Sequence, residues 1–185
     1  MTATEHARSD RTSRPRRYPP GIPDIVWAPI VASLLIALVG AIGLIAGQPW
    51  LFPSLGPTAF LQAEQPEQPT ARFYNTVVGH AHGLVEGFLA VWVSGASAAP
   101  PVLSSHELTP ARVVASVLAV GLNMLFGFLL KASHPPAAAT TLLIALGGVK
   151  PVWRDAVTIA VGVIVVAIVG EFFRRFRMGD FSRQR

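Results

Sequence analysis

The run APIVASLLIALVGAIGLIAG, residues 28–47, holds no ionisable side chain. Twenty apolar residues in succession make about 30 Å of helix, the thickness of a bilayer's hydrocarbon core. In lipid every backbone N–H and C=O must find its partner within the structure, so such a run spans as a helix or not at all. Three further long apolar segments follow, 77–98, 113–130 and 156–170; the last reaches both interfaces only with Trp153 and Phe172-Phe173 included. With 51% hydrophobic and 14% charged residues in 185, the composition is that of a chain solvated by lipid. The expected fold class is an all-α polytopic membrane protein with four long transmembrane helices.

The formal net charge is +5, and most of the basic residues sit in two tails. Arg8, Arg11, Arg14, Arg16 and Arg17 precede the first span, and Arg174, Arg175, Arg177, Arg183 and Arg185 follow the last. This is the positive-inside pattern, and it argues against nucleic acid as the partner. It predicts a multi-pass protein of the inner (plasma) membrane with both termini cytoplasmic, an even number of crossings, and tails lying against anionic headgroups. The expected organisation is a disordered basic leader over 1–26, a transmembrane domain over 27–173 and a basic tail over 174–185. The first span is too long for a signal-peptide core and stands behind a long Arg/Pro-rich leader, so it is expected to stay in place. Absence of cysteine excludes disulfides and thiolate chemistry.

Two apolar segments are short: LFPSLGPTAFLQ at 51–62 and HPPAAATTLLIALGG at 134–148. Each opens with Ser, Gly or His together with Pro, the chemistry of a helix start with proline in the first turn. Each follows a long span and precedes a polar link and another Gly-rich span, so the chain reads as two related halves offset by roughly 80 residues. If the short helices dip in and return, there are four crossings. If they traverse, there are six, as three plus three inverted. Twelve helical residues make only about 18 Å, so four is the preferred count, which puts residues 62–75 outside and 99–110 on the side of the termini.

The segment KASHPPAAATT, 131–141, interrupts apolar sequence with a cation, an imidazole and two prolines. A residue before proline is driven out of the helical region, so His134 ends one helix, and Pro135 and Pro136 begin another. Ala137 and Ala138 would then present bare N–H donors at a positive helix end, an anion site in waiting. Ser54, Gly56 and Thr58 repeat the arrangement in the first half. The competing reading is a pair of ordinary turns at the membrane surface. Candidate substrate-binding residues are Ser54, Gly56, Thr58, His80, His134, Pro135, Pro136, Ala137 and Thr140.

Residues 77–98 carry His80, His82 and Glu86, ionisable groups that are costly in lipid and tend to face an interior. Two readings stand for His80 and Glu86: proton coupling, or a structural hydrogen-bonding role. His82 and Glu86 share a helix face. A zinc site from His80, His82, Glu86 and His134 is disfavoured, because neighbours two apart on a helix diverge by roughly 200°; no metal or other cofactor is expected. Gly79, Gly83, Gly87 and Gly95 recur at multiples of four, a seam for close helix approach. Asn123, with Ser116 and Gly127, reads as an interhelical hydrogen-bonding stripe, and Glu171 as part of a charge cluster with Arg174 and Arg175.

Ser54-Leu55-Gly56-Pro57-Thr58-Ala59, Val78-Gly79-His80 and the stretch SHPPAAATTL at 133–142 together resemble the HPP family of integral membrane proteins, over roughly 27–173. The resemblance implies four transmembrane segments and, since some plant and cyanobacterial members are implicated in nitrite transport, a small-anion transporter. Signatures of soluble enzymes are absent, and one carboxylate at membrane depth is too little for hydrolysis or phosphate transfer, so no enzyme is expected. The expected function is movement of a small solute, an inorganic anion such as nitrite, by a homo-oligomer. The alternative is a structural or regulatory membrane module acting through its tails.

Overall fold

The structure, a computed structural model, describes residues 21–180. Among these there are only helices, turns and irregular chain. Four helices are long and apolar enough to cross a membrane: α1 (Asp24–Ala46), α3 (Phe73–Val93), α5 (Pro110–Leu129) and α7 (Trp153–Met178). The two short elements are α2 (Leu55–Glu64) and α6 (Pro135–Ala145), and a single turn, α4 (Val102–Ser105), lies between α3 and α5. Helix α1 starts before residue 27 and α7 continues past 173 to Met178, so the helical domain is a few residues longer at each end than expected. The basic residues at 8–17, 183 and 185 lie outside the described residues.

One stripe of α1 is buried, at Trp27, Val31, Leu35, Val39 and Gly43, while Ile25, Ile30, Leu34, Leu38 and Ile45 face outward. Helix α5 likewise buries Ala115, Ala119, Asn123 and Gly127 and turns Val117, Met124, Leu125 and Phe128 out. Outward leucine, valine and phenylalanine along whole helices need an apolar solvent, which a bilayer supplies.

Contacts at the helix ends define two faces. The start of α1 meets the end of α7 where Arg177 Nη2 donates to Asp24 Oδ1 at 2.7 Å and to the Ile22 carbonyl at 2.8 Å. On this terminal face Phe73 N donates to Glu171 Oε2 at 3.2 Å, and Arg174 Nη1 to the Pro66 carbonyl at 3.2 Å. Tyr74 Oη donates to the Leu130 carbonyl at 3.1 Å. Residues 62–75, the start of α3 and the end of α5 therefore lie on the terminal face. The far face is tied by Arg112, which is buried at the start of α5 and donates to the carbonyls of Ala99, Pro100 and Ala145 at 2.7, 3.2 and 3.0 Å.

These contacts correct the preferred four-crossing path. Helix α2 carries the chain from the depth of Gly162 toward the terminal face, and α6 runs from the terminal face to Arg112 on the far face. The expected placement is thus reversed: residues 62–75 share the face of the described ends and 99–110 lie opposite. The short helices do make only about 15 Å each. The missing depth comes from non-helical chain, since 47–54 folds back along α1, where Gln48 and Trp50 lie against Gly43. Irregular backbone at that depth is tolerated because it is packed against protein.

The two halves are related by an inverted repeat. Helix α3 packs on α5 and α6 of the other half, and α7 packs on α1 and α2. Side by side in parallel, α3 and α6 make the same contacts as α7 and α2. A Cβ on Gly79 would stand 2.6 Å from His134 Cβ and 3.3 Å from the Ala132 carbonyl; one on Gly162 would stand 2.8 Å from the Phe52 ring and 2.5 Å from the Trp50 carbonyl. Gly87 lies on Ile144 as Gly170 lies on the Gln62 amide. Equivalent positions are 82 apart in the short helices (Thr58 and Thr140, Ala63 and Ala145) and 83 apart in α3 and α7 (Gly79 and Gly162, Gly87 and Gly170). The seam of Gly79, Gly83 and Gly87 is therefore filled by α6. Gly95 does not belong to it: its φ of 71° and the open space around it mark a turn.

Candidate functional site

The repeat in the backbone is not a repeat in chemistry. Where α3 has His80, the equivalent position in α7 is Val163, and where the second half has His134 the first has Phe52. Both imidazoles and both equivalent threonines meet where α2 and α6 cross. His80 lies between the pair, its Nε2 2.9 Å from Thr58 Oγ1 and its Nδ1 2.7 Å from Thr140 Oγ1. Ser54 Oγ is 2.7 Å from Thr140 Oγ1, and His134 Nε2 is 3.3 Å from Thr58 Oγ1. The two rings lie edge to face with centroids 4.9 Å apart. Every one of these side chains is buried.

The hydrogen-bond directions follow from one fixed point. His134 Nδ1 faces the Thr70 carbonyl at 2.7 Å and must donate, leaving Nε2 as an acceptor in the neutral ring. The Thr58 hydroxyl gives its one proton toward the Ser54 carbonyl at 3.1 Å or that acceptor at 3.3 Å, and in either case His80 must donate to Thr58 from Nε2. His80 Nδ1 then accepts from Thr140, and Thr140 accepts from Ser54. The result is a directed chain from Ser54 to Thr140 to His80 to Thr58, whose single proton faces both the Ser54 carbonyl at 3.1 Å and His134 Nε2 at 3.3 Å, while His134 donates to the Thr70 carbonyl. The opposite tautomer of His80 leaves His134 Nε2 without a donor. A buried polar chain that is fully satisfied holds its members in one geometry.

The helix starts themselves differ from expectation. Pro57, Pro135 and Pro136 carry no N–H. The N–H groups of Leu55, Gly56 and Ala137 are taken by the carbonyls of Phe52, Pro53 and His134 at 3.1, 3.3 and 2.8 Å. Bare backbone donors at Ala137 are therefore absent, because the residue that caps α6 bends its own carbonyl onto the first free amide. What the crossing offers a solute is hydroxyl and imidazole groups, with the positive ends of two helices behind them. Gly56 and Pro135 are exposed, whereas Ser54, Thr58, His80, His134 and Thr140 form one buried hydrogen-bonded cluster.

Glu86 is not part of it. Three residues make a second cluster on the other side of α3: both Glu86 oxygens lie 3.1 Å from His82 Nδ1, and Asn123 Nδ2 donates to Glu86 Oε2 at 3.0 Å. His80 and Glu86, paired in the proton-coupling reading, thus belong to separate networks. Asn123 fulfils its expected role between helices, but Ser116 donates to the Arg112 carbonyl of its own helix at 2.8 Å. Glu171 sits as expected, accepting from Arg174 at 2.7 and 2.9 Å and from Arg175 at 2.7 Å. Sequence reasoning missed the Thr70 carbonyl, and missed Asn75, whose Nδ2 donates to the Ser133 carbonyl at 3.0 Å. It also missed Gln62, which donates to Thr76 Oγ1 at 3.3 Å.

A polytopic helical membrane protein built from two inverted three-helix halves around a buried histidine–threonine crossing is the class that this fold and site define. The family model described as HPP, transmembrane region, matches residues 17–181. The chain belongs to that family. No curated protein and no solved structure matches it.

Proposed function

We propose that the chain carries a small polar solute across the membrane through the crossing of α2 and α6, with an inorganic anion such as nitrite as the first candidate. The observation that carries this reading is the directed chain from Ser54 to Thr58, with His134 beside it, buried at the pivot of an inverted repeat. Inverted halves that meet at broken helices are the architecture in which transporters hold their solutes. A structural module has no need of polar groups at that depth, where each is costly unless partnered. The crossing holds no carboxylate; its hydroxyl and imidazole protons are engaged with one another, so an anion would be bound by displacing links of that network, and a proton taken up by His80 or His134 would supply opposite charge. A cytoplasmic terminal face is the orientation that the basic tails favour under the positive-inside rule. Uptake into proteoliposomes across nitrite, nitrate, formate and chloride tests the proposal. A saturable flux of one anion above protein-free vesicles is expected. No flux of any of the four would turn the function toward a module acting through its tails.

A further inference from the structure

The repeat relates two interfaces that are not in the same state. On the terminal face, the segment before α6 is shut against α3: His134 Nδ1 holds the Thr70 carbonyl at 2.7 Å, Asn75 holds the Ser133 carbonyl at 3.0 Å, and Ala132 and His134 are buried. Shifted by the repeat, Ser133, His134 and Pro135 become Leu51, Phe52 and Pro53, and Asn75 and Thr76 become Thr158 and Ile159. Those five residues line a cavity of about 400 Å³ opening on the far face. Arg154 stands at its wall and is exposed, as are Leu51 and Pro53, and Phe52 leads to Ser54, the first member of the buried chain.

We infer that this cavity is the solute's way in from the far face, and that transport exchanges it for an equivalent cavity on the terminal face, opened by release of His134 from Thr70 and of Ser133 from Asn75. The inference rests on the transport reading and adds the path and the gates. A two-fold repeat whose halves sit in different states has a second arrangement of comparable contacts, reached by giving each half the conformation of the other. The closed gate is held by two hydrogen bonds with no equivalent in the other half, since Phe52 has no polar group and Thr158 donates to the Arg154 carbonyl of its own helix at 3.0 Å. That asymmetry favours the state seen here. Arg154 gives the open mouth a cation, beside the carboxylate of Asp155, which also lines it and accepts from the Lys150 N–H at 3.0 Å.

The chain has no cysteine, so paired cysteines can lock either face. Leu51→Cys with Thr158→Cys, joined by a short bifunctional thiol reagent, should close the far cavity; Asn75→Cys with Ser133→Cys should hold the terminal gate shut. Amide hydrogen exchange then reports each face without a further label. Closing the far cavity is expected to raise exchange at 70–75 and 131–134, whereas locking the terminal gate should leave those segments protected and 49–54 accessible. Asn75→Ala alone should raise exchange at 131–134 about two- to tenfold, the equilibrium shift that one buried hydrogen bond commands. A far-face lock that leaves the terminal segments unchanged would overturn the inference. Anion uptake that persists with either lock in place would also overturn it while leaving transport standing. Linked opening of the two faces with no uptake of any tested anion would uphold the gates and remove the anion reading.

Discussion

Replacing Gly79 by alanine puts one methyl group at the tightest point between α3 and α6. The new Cβ would stand 2.6 Å from His134 Cβ, where carbon atoms need about 3.5–4.0 Å. His134 Cβ cannot rotate aside, because it is fixed to a backbone that the following prolines hold. The helices must part by about 1 Å, and overpacking of that size costs about 1–3 kcal/mol. The same movement stretches the His80–Thr140 contact between α3 and α6, now 2.7 Å, beyond hydrogen-bonding distance, which adds about 0.5–1.5 kcal/mol. The expected loss is therefore about 2–4 kcal/mol, and at about 2–4 °C per kcal/mol it lowers Tm by about 5–15 °C. Gly121→Ala is the control. Nothing lies within 4 Å of the Cβ it adds, so it carries only the change in helix propensity. Thermal unfolding of both variants in detergent decides the matter. Equal midpoints would show that the glycine seam is not a packing contact and that the registry of α3 on α6 is wrong.

Two further outcomes are expected. Thr58→Val keeps the shape of the side chain but leaves His80 Nε2 and His134 Nε2 unpartnered, so it should cost about 1–3 kcal/mol, whereas Thr58→Ser should stay within about 1 kcal/mol of wild type; equal stability of the two in thermal unfolding would refute the directed chain. Single cysteines introduced into this cysteine-free chain should react with an impermeant thiol reagent on one side at 67 and on the other at 107, with 67 on the side of residue 180; 107 on the side of residue 180, with 67 opposite, would restore the four-crossing path.

Much of this was legible in the sequence, and the parts that were not have physical reasons. The four long helices follow from apolar length, and the starts of α2 and α6 from proline geometry at Ser54 and His134. The histidine of Val78-Gly79-His80 and the threonines of the short helices could be named as site residues because polar groups are rare at that depth. Their mutual contacts could not, because they depend on which way α2 runs, and helix length alone gave the wrong answer when 47–54 supplied the missing depth. The bare donors expected at Ala137 were a misreading of a visible fact: two prolines remove two N–H groups, and the carbonyl of His134 takes the third. His80 and Glu86 share a helix, but a separation of six residues puts them on different faces, about 120° apart.

Helix α3 is the least apolar of the four long helices and carries His80, His82 and Glu86. Its groove of glycines is filled by α6, the residues just before it and Asn123 of α5, all made later by the ribosome, and Asn123 joins His82 in answering its carboxylate. During synthesis α3 must therefore wait in or beside the insertion machinery with its glycine groove unfilled, Glu86 paired only with His82 and His80 without Thr140, until the second half arrives. The first half alone should be a substrate for membrane quality control, and the second half supplied as a separate chain should rescue it. Interlocked halves of this kind make assembly an all-or-none event, so a defect in either half is felt as loss of the whole protein.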